Sequence, residues 1–304
     1  MPTKTARSNL GIGLVVLYLC WGSSFLGIEK TVSGFPPLTS VFIRFLLASI
    51  LLGSFIAWRS GWRALAIPKR KLPQTVGLGV LMLTVGNGGV SMAQSQGMPS
   101  WLAALVIATV PIWVVILRLV VREKVAKSTL LGTGIAFSGT CVLLLSASQS
   151  GEARVQSLIF GLLGALGWSL GSFLASRTPQ SEQPMISGTH HLFFAALGIL
   201  VLVLFSDEPS KWQTMQPDAS ALFGLAWLII AGSSVGLVVY NWIVTQSSVS
   251  VGNTYAFSNP VIATLLAITI LHNRPSPGAL LSIPFVVFGV ALIILGDRKD
   301  VNLA

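Results

Sequence analysis

The sequence predicts an all-α integral membrane protein with ten transmembrane helices. The 304-residue chain is 53% hydrophobic and only 9% charged, with a mean hydropathy of +0.80. Soluble domains usually contain about 25% charged residues. Ten apolar runs, each close to the roughly 20 residues that cross a bilayer, follow one another along the chain. Several sequence features also recur in the second half, which predicts an internal repeat.

The apolar runs give the positions of the helices directly. The predicted spans are residues 10–28, 38–58, 74–95, 100–121, 127–147, 157–176, 187–205, 220–244, 250–271 and 277–296. Only short connections remain between them, so no separate soluble domain is expected. The first run follows basic residues as in a signal peptide, but it is long enough to span and lacks a small-residue cleavage site. It is therefore predicted to be an uncleaved helix.

The basic residues are distributed unequally between the two sides of the membrane. With the N-terminus inside, fourteen Lys and Arg residues lie inside, four lie outside, and Arg44 lies within a span. The 59–73 connection alone contains five of them. This asymmetry follows the positive-inside rule and predicts that both termini are cytoplasmic. It also explains the net charge of +10 without a nucleic-acid partner.

The two halves of the chain share features at one offset. Trp-Gly-Ser-Ser-Phe at 21–25 resembles Trp-Ser-Leu-Gly-Ser-Phe at 168–173, and Pro111 aligns with Pro260, 147 and 149 residues later. We therefore predict two repeats, 1–149 with helices 1–5 and 150–304 with helices 6–10. Because five is odd, the second repeat is inverted relative to the first. Inverted repeats around a central cavity are typical of secondary transporters.

Polar side chains cluster on single faces of the predicted spans. Thr84, Asn87, Ser91 and Gln94 share a sector of about 80° on the third helix. Polar groups inside a membrane are costly unless they face protein or water, so such sectors mark a cavity. The predicted substrate-binding residues are Trp21, Ser24, Asn87, Ser91, Trp101, Trp168, Ser172, Asn241, Tyr255 and Asn259. The predicted hinge or gating residues are Pro111, Pro260, Gly86 and Gly88.

Each of these residues also has a purely structural interpretation. A lone serine usually donates to its own helix four residues back. A tryptophan such as Trp101 is often part of the interfacial aromatic belt, and glycine-rich faces often serve helix packing. Arg44 and His191, which align in the two halves, are expected to stabilise the scaffold rather than contact the substrate. Arg44 is expected to lie at the periphery.

The acidic residues narrow the class of substrate. All nine lie at span ends or in connections, whereas a cavity for a cationic drug or a buried proton site normally needs a carboxylate at depth. A phosphorylated solute would require basic residues in the cavity. The predicted substrate is therefore a neutral or zwitterionic solute with an apolar body. The chain also lacks HExxH, Walker and GxSxG motifs, so neither an enzyme nor a metal or other cofactor is expected.

On these residues the chain resembles the drug/metabolite transporter superfamily, in its ten-helix EamA-type branch. The resemblance rests on residues 21–25, on Arg44-Phe-Leu-Leu-Ala, on Pro111 and Pro260, and on the turn Arg122-Glu123-Lys124. The corresponding second turn, 271–274, lacks the acidic residue, and no role is inferred for it. The tryptophan content and spacing are most similar to those of bacterial exporters of aromatic amino acids (YddG-type).

The resemblance implies a monomeric secondary transporter of the bacterial inner membrane that works by alternating access. It would export amino acids from the cytoplasm, with aromatic and other large apolar ones favoured. One alternative is export of another small neutral metabolite or drug, such as a purine, a sugar or a hydrophobic toxicant. The other is a passive channel: Asn259-Pro260 resembles the Asn-Pro-Ala of aquaporins, although Val110-Pro111 lacks the amide.

Overall fold

The computed structural model describes residues 4–148, 155–177, 183–247 and 249–270, with residues 281, 284–285, 287–289 and 291–293 beyond them. Within this part of the chain the secondary structure is helical, and no β-strand occurs. The main helices are α1 (Lys4–Val32), α2 (Pro37–Ser60), α3 (Lys69–Ser95), α4 (Ser100–Val120), α5 (Lys127–Ser148), α6 (Val155–Ala175), α7 (Pro184–Leu204), α8 (Ala219–Gln246) and α9 (Tyr255–Ile270).

Seven of these helices, α1–α4 and α6–α8, are long and apolar enough to cross a membrane. Helix α5 has 22 residues, and α9 is an apolar helix of 16 residues preceded by the single turn Val249–Gly252. These nine helices, counted within the described residues, agree with the first nine predicted spans to within a few residues. The tenth predicted span, 277–296, falls largely outside the described residues, and the residues described within it are helical.

Local sequence signals define where several helices begin and end. Pro37 opens α2, at a position where its missing N–H costs no hydrogen bond. Gly61 ends the same helix with φ of +79°, a conformation that glycine adopts without strain. The Asp218 carboxylate accepts a hydrogen bond from the Ala221 N–H at 2.7 Å and so caps the start of α8.

Three helices depart from regular α geometry. Helix α3 is π-helical over Gly79–Asn87, and α8 is π-helical over Leu228–Val235, 149 residues later. Helix α4 is interrupted between Ile107 and Val110, immediately before Pro111. Proline lacks the N–H that would continue the hydrogen-bond ladder, which accounts for this break. Around Pro260, in contrast, α9 continues without interruption.

The main helix contacts join the first half of the chain to the second. Helix α2 packs along α7, α1 packs along α8 and α9, and α6 packs along α3 and α4. Small residues allow the closest of these contacts: a Cβ added at Gly89 would lie 2.9 Å from the Cα of Gly164. Helices α1 and α6 therefore lie inside the bundle, and each packs mainly against helices from the other half of the chain.

Candidate functional site

A buried cavity of about 60 Å³ lies at the centre of the bundle, between helices of the first and second halves of the chain. Helices α1–α4 and α6–α9 all contribute side chains to its wall. The lining residues are Trp21, Ser24, Phe25, Ile28, Arg44, Phe45, Leu83, Gly86, Asn87, Val90, Ile107, Trp168, Leu192, Gly232, Ser233, Leu237, Tyr255 and Asn259. Apolar and aromatic groups thus form most of the surface, with a few polar groups among them, as in sites for small molecules.

Four aromatic rings pack together at one wall of the cavity. Trp21 contacts Trp168, Tyr240 and Tyr255, with ring centroids 5.1, 5.1 and 4.4 Å away. Trp168 also lies 5.8 Å from Tyr240 and 6.2 Å from Tyr255, both in edge-on geometry. We call Trp21, Trp168, Tyr240 and Tyr255 the aromatic cluster. Edge-on aromatic pairs are favourable beyond their area, so these contacts stabilise the packed arrangement of the cluster.

Residues of the aromatic cluster line two cavities. Trp21, Trp168 and Tyr255 line the first, whereas Tyr240 lines a second cavity of about 10 Å³ together with His191 and other residues of α7 and α8. Because Tyr240 packs against Trp21 and Trp168, the aromatic cluster connects the walls of the two cavities.

Arg44 lines the first cavity, which corrects its expected peripheral position. Its side chain is 4% exposed, and its Nε donates a hydrogen bond to the Ser233 hydroxyl at 2.7 Å. Its Nη1 is buried and has no hydrogen-bond partner among the described residues. The described ion pairs involve Arg118, Arg177 and Lys211. The guanidinium is thus a buried cation facing the cavity without a described counter-ion.

Gly232 brings the polar side chains of this wall together. A Cβ at this position would lie 2.8 Å from the Ser24 hydroxyl and 3.0 Å from Arg44 Nη2. The Gly232 carbonyl also accepts a hydrogen bond from Trp21 Nε1 at 2.9 Å. Because Gly232 lies in the π-helical part of α8, its carbonyl and bare Cα face α1 and α2 together. π-helical segments are common at functional sites.

The predicted asparagines occupy different places. Asn87 and Asn259 line the first cavity, and the buried Asn259 Oδ1 has no hydrogen-bond partner among the described residues. Asn241 lines the second cavity, where its amide lies 3.4 Å from the Pro184 carbonyl oxygen, at the long limit of a hydrogen bond. The structure thus gives the first cavity an unpaired acceptor beside its unpaired cation.

A family model described as the EamA-like transporter family matches the chain twice, at residues 9–145 and 156–295. The two matches together cover most of the chain. This protein belongs to the EamA-like transporter family. It is therefore a multi-pass membrane protein, and the buried cavity is the candidate solute site of a transporter.

Two similar proteins are named as a transporter and as an exporter. The "uncharacterized inner membrane transporter YedA" of Escherichia coli (strain K12) is 31% identical over 283 residues, 93% of this chain and 90% of that protein. The "probable terminal-alkyne amino-acid exporter" of Streptantibioticus cattleyicolor is 24% identical over 296 residues, 95% of each chain. A protein of known crystal structure, 22% identical, has a TM-score of 0.73 over 96% of this chain and 98% of that one, and so shares the fold.

Several predicted site residues of this EamA-like transporter lie outside the cavity wall. Ser91 is buried but does not line it, and Trp101 is half-buried against the core. Ser24 and Ser172 each donate to the carbonyl four residues earlier, at 2.6 Å, which is the structural interpretation raised for them. Ser24 nevertheless lines the cavity, whereas Ser172 does not.

The predicted hinge residues also differ in position. Gly86 lines the cavity, and a Cβ there would lie 3.2 Å from the Trp168 ring. A Cβ at Gly88 would lie 3.0 Å from the Ile199 side chain, in the packing between α3 and α7. Pro111 follows the break in α4, and Pro260 lies inside continuous α9.

Two described carboxylates, Glu29 and Glu208, bind the starts of helices and do not line the cavity. Glu29 accepts a hydrogen bond from the Ser100 N–H at 2.9 Å, at the start of α4. Glu208 is buried and accepts from the Leu38 N–H, the Thr39 N–H and the Thr39 hydroxyl at 2.6–2.9 Å, at the start of α2. No acidic residue is among the residues that line the cavity.

Sequence reasoning missed two kinds of cavity residue. Apolar ones such as Phe25 and Ile107 carry no signal, because a side chain facing a cavity and one facing lipid have the same character. Arg44 did carry a signal. An ionisable residue inside a span is by default a candidate functional residue, and Ser233 could have followed as its polar neighbour only once the packing of α2 on α8 was known.

Proposed function

We propose that this protein is a secondary transporter that works by alternating access and exports amino acids from the cytoplasm. The observation that carries the proposal is the buried cavity in which aromatic rings, an unpaired amide oxygen and an unpaired guanidinium nitrogen meet. Aromatic and other large apolar amino acids are favoured because they combine charged main-chain groups with an apolar body. The name of the Streptantibioticus relative, an amino-acid exporter, supports this substrate class.

In this proposal the chain consists of two inverted five-helix repeats, 1–149 and 150–304. Three observations support the arrangement. The family model matches two stretches of similar length. The π-helical segments of α3 and α8 lie 149 residues apart. The packing of α1 on α8 and α9 mirrors that of α6 on α3 and α4.

Alternating access uses the aromatic cluster as the closed layer. The cavities on its two sides are successive positions of the solute path, and rearrangement of the rings connects them. The break in α4 before Pro111, the glycines at 86 and 88, and Pro260 in α9 supply the flexibility for this change. Trp21, Trp168 and Tyr255 contact the solute's side chain.

The main-chain groups of the solute bind the polar wall. Asn87 and Asn259 hold them in the first cavity, with Ser24 beside them, and Asn241 acts in the second cavity. Ser91, Trp101 and Ser172 act by supporting the lining helices. The transporter functions as a monomer in a bacterial inner membrane, with both termini cytoplasmic, as supported by the inner-membrane assignment of YedA and the positive-inside distribution.

The transporter proposal is tested with purified protein in liposomes. Vesicles preloaded with unlabelled phenylalanine should take up labelled phenylalanine faster than empty vesicles, and uptake should saturate with concentration. Exchange of this kind requires a site that faces the two sides in turn. Flux that rises linearly, without stimulation by internal phenylalanine, would favour the passive channel. Saturable exchange of a purine or sugar but not phenylalanine would favour the other metabolite exporters.

A further inference from the structure

The Arg44 guanidinium has no described group to balance its charge. Two described carboxylates, Glu29 and Glu208, are engaged elsewhere, with the start of α4 and the start of α2. A cation inside a membrane span is costly unless it meets an anion or water. Arg44 is 4% exposed, so solvent does not supply that partner freely. The Phe45 ring lies 5.2 Å from the guanidinium carbon but carries no charge. The cavity that Arg44 lines is open to a solute that could bring an anion to it.

The guanidinium is held in a defined orientation. Ser233 accepts a hydrogen bond from its Nε–H at 2.7 Å. Gly232 has no side chain and so leaves room for Nη2, which would lie only 3.0 Å from a Cβ at that position. Nη1 remains without a partner on a residue that lines the cavity. An arginine fork with one nitrogen fixed and another free is suited to a planar carboxylate.

We propose that Arg44, oriented by Ser233, binds the carboxylate of the transported solute in the first cavity. The proposal rests on the proposed transport function and narrows it, because it makes a carboxylate on an apolar body the required feature of the substrate. Asn259 Oδ1 then accepts from the solute's ammonium group. Purines, sugars and quaternary amines lack the anion and bind poorly.

A monoanion fits this wall better than a phosphate group. The lining contains one basic residue, no acidic residue, and otherwise apolar or neutral side chains. A phosphate carrying up to two negative charges normally recruits several basic groups or a helix terminus. One guanidinium neutralises one carboxylate.

The experiment measures binding of small probes to the detergent-purified protein by calorimetry. The probes are 3-phenylpropionate, which has only the carboxylate, phenethylamine, which has only the ammonium group, and sodium chloride. In Arg44→Gln, affinity for 3-phenylpropionate should fall about ten- to a hundredfold, because a hydrogen bond to a charged group is lost. Phenethylamine affinity should not fall. Arg118→Gln is the matched control, a buried arginine that does not line the cavity, and it should bind 3-phenylpropionate as the parent protein does.

A second variant covers the possibility that Arg44→Gln does not fold. Ser233→Ala keeps the charge but removes the oxygen that orients it, and it should weaken 3-phenylpropionate binding without changing phenethylamine binding. The proposal is overturned if the parent protein does not bind 3-phenylpropionate, or if folded Arg44→Gln or Ser233→Ala binds it unchanged. It is also overturned if chloride displaces 3-phenylpropionate at equal concentrations, since the site would then hold inorganic anions.

Failure of the transport proposal gives a different pattern. If phenylalanine is not exchanged across liposomes but 3-phenylpropionate still binds through Arg44, the carboxylate site stands and the substrate is another acid. If phenylalanine is exchanged equally well by Arg44→Gln, the transport function stands and the carboxylate site does not.

Discussion

Trp21 and Trp168 meet edge to face, with ring centroids 5.1 Å apart and planes at 88°, although 147 residues separate them in the chain. They join α1 to α6 at the centre of the bundle, and both line the first cavity. This contact links the two stretches that match the EamA-like family. In the proposed mechanism, the aromatic cluster built on this contact is the closed layer between the two cavities.

Trp168 is expected to set the size preference for the solute. Trp168→Phe keeps a ring but removes the indole contacts with Tyr240 and Tyr255. Because an aromatic pair contributes about 0.5–1.5 kcal/mol, the preference for phenylalanine over alanine should fall about two- to tenfold in liposome uptake. Trp58→Ala, at an exposed tryptophan, is the control and should leave the preference unchanged. Equal losses for both amino acids would contradict a role in selectivity.

Gly232 is expected to be important for transport because the side chains of Ser24 and Arg44 occupy the space beside its Cα. In Gly232→Ala the new methyl group meets Ser24 Oγ and Arg44 Nη2, both at side-chain ends that can move. The protein should fold, and uptake of labelled phenylalanine should fall about tenfold, since strain from overpacking costs about 1–3 kcal/mol.

The matched control is Gly77→Ala, also on a transmembrane helix, where a Cβ meets nothing within 4 Å. It should transport like the parent protein. Normal transport by folded Gly232→Ala would show that the position of the guanidinium does not matter for uptake.

Glu208 is expected to stabilise the fold by capping α2. Its buried carboxylate accepts three hydrogen bonds from Leu38 and Thr39. Glu208→Ala leaves the two N–H groups without this acceptor, so stability should fall by about 1.5–3 kcal/mol, measured as a lower Tm in detergent.

The neighbouring Asp207→Asn is the control. A hydrogen bond from Lys211 lowers the pKa of the Asp207 carboxyl, but both groups are exposed, and such pairs contribute little. Asp207→Asn should leave Tm unchanged. If Glu208→Ala does the same, the capping role is wrong.

The positive-inside distribution predicts the sidedness of the molecule. In a chain whose Cys20 and Cys141 are replaced by serine, Arg70→Cys should react with an impermeant maleimide only after the cells are permeabilised. Lys211→Cys, in the connection between α7 and α8, should react in intact cells. Labelling of position 70 from outside would contradict this topology.

Much of the fold follows from the sequence. A membrane-spanning segment must form its backbone hydrogen bonds internally, as a helix does, and its side chains are mostly apolar, so each span can be recognised as an apolar run. The sequence predicts Trp21 and Trp168 as cavity residues from their matching motifs 147 residues apart, and both line the first cavity. The helical spacing of Asn87 and Asn241 identified polar faces, but not which of two cavities each face meets. That choice depends on how α3 and α8 pack around the aromatic cluster.

The role of Arg44 needed the structure. A lone arginine in a span is compatible with either a scaffold or a solute site, and only the partners of its nitrogens decide between them. The hydroxyl of Ser233, 189 residues away, fixes Nε and leaves Nη1 unpaired. Helix α4 is interrupted before Pro111, but α9 is continuous through Pro260, so a proline in the sequence did not by itself locate a helix break. The π-helical turns of α3 and α8 have no sequence signal of this kind.

The most direct test of the account is a competition experiment in liposomes that contain the purified protein. Uptake of labelled phenylalanine is measured against an excess of unlabelled amino acids, sugars, purines and quaternary amines. Amino acids with large apolar side chains should compete best, phenylalaninol, which lacks the carboxylate, should compete poorly, and the other three classes should not compete. If purines or sugars compete while amino acids do not, the protein remains an EamA-like transporter and the assignment of amino acids as its substrates is wrong.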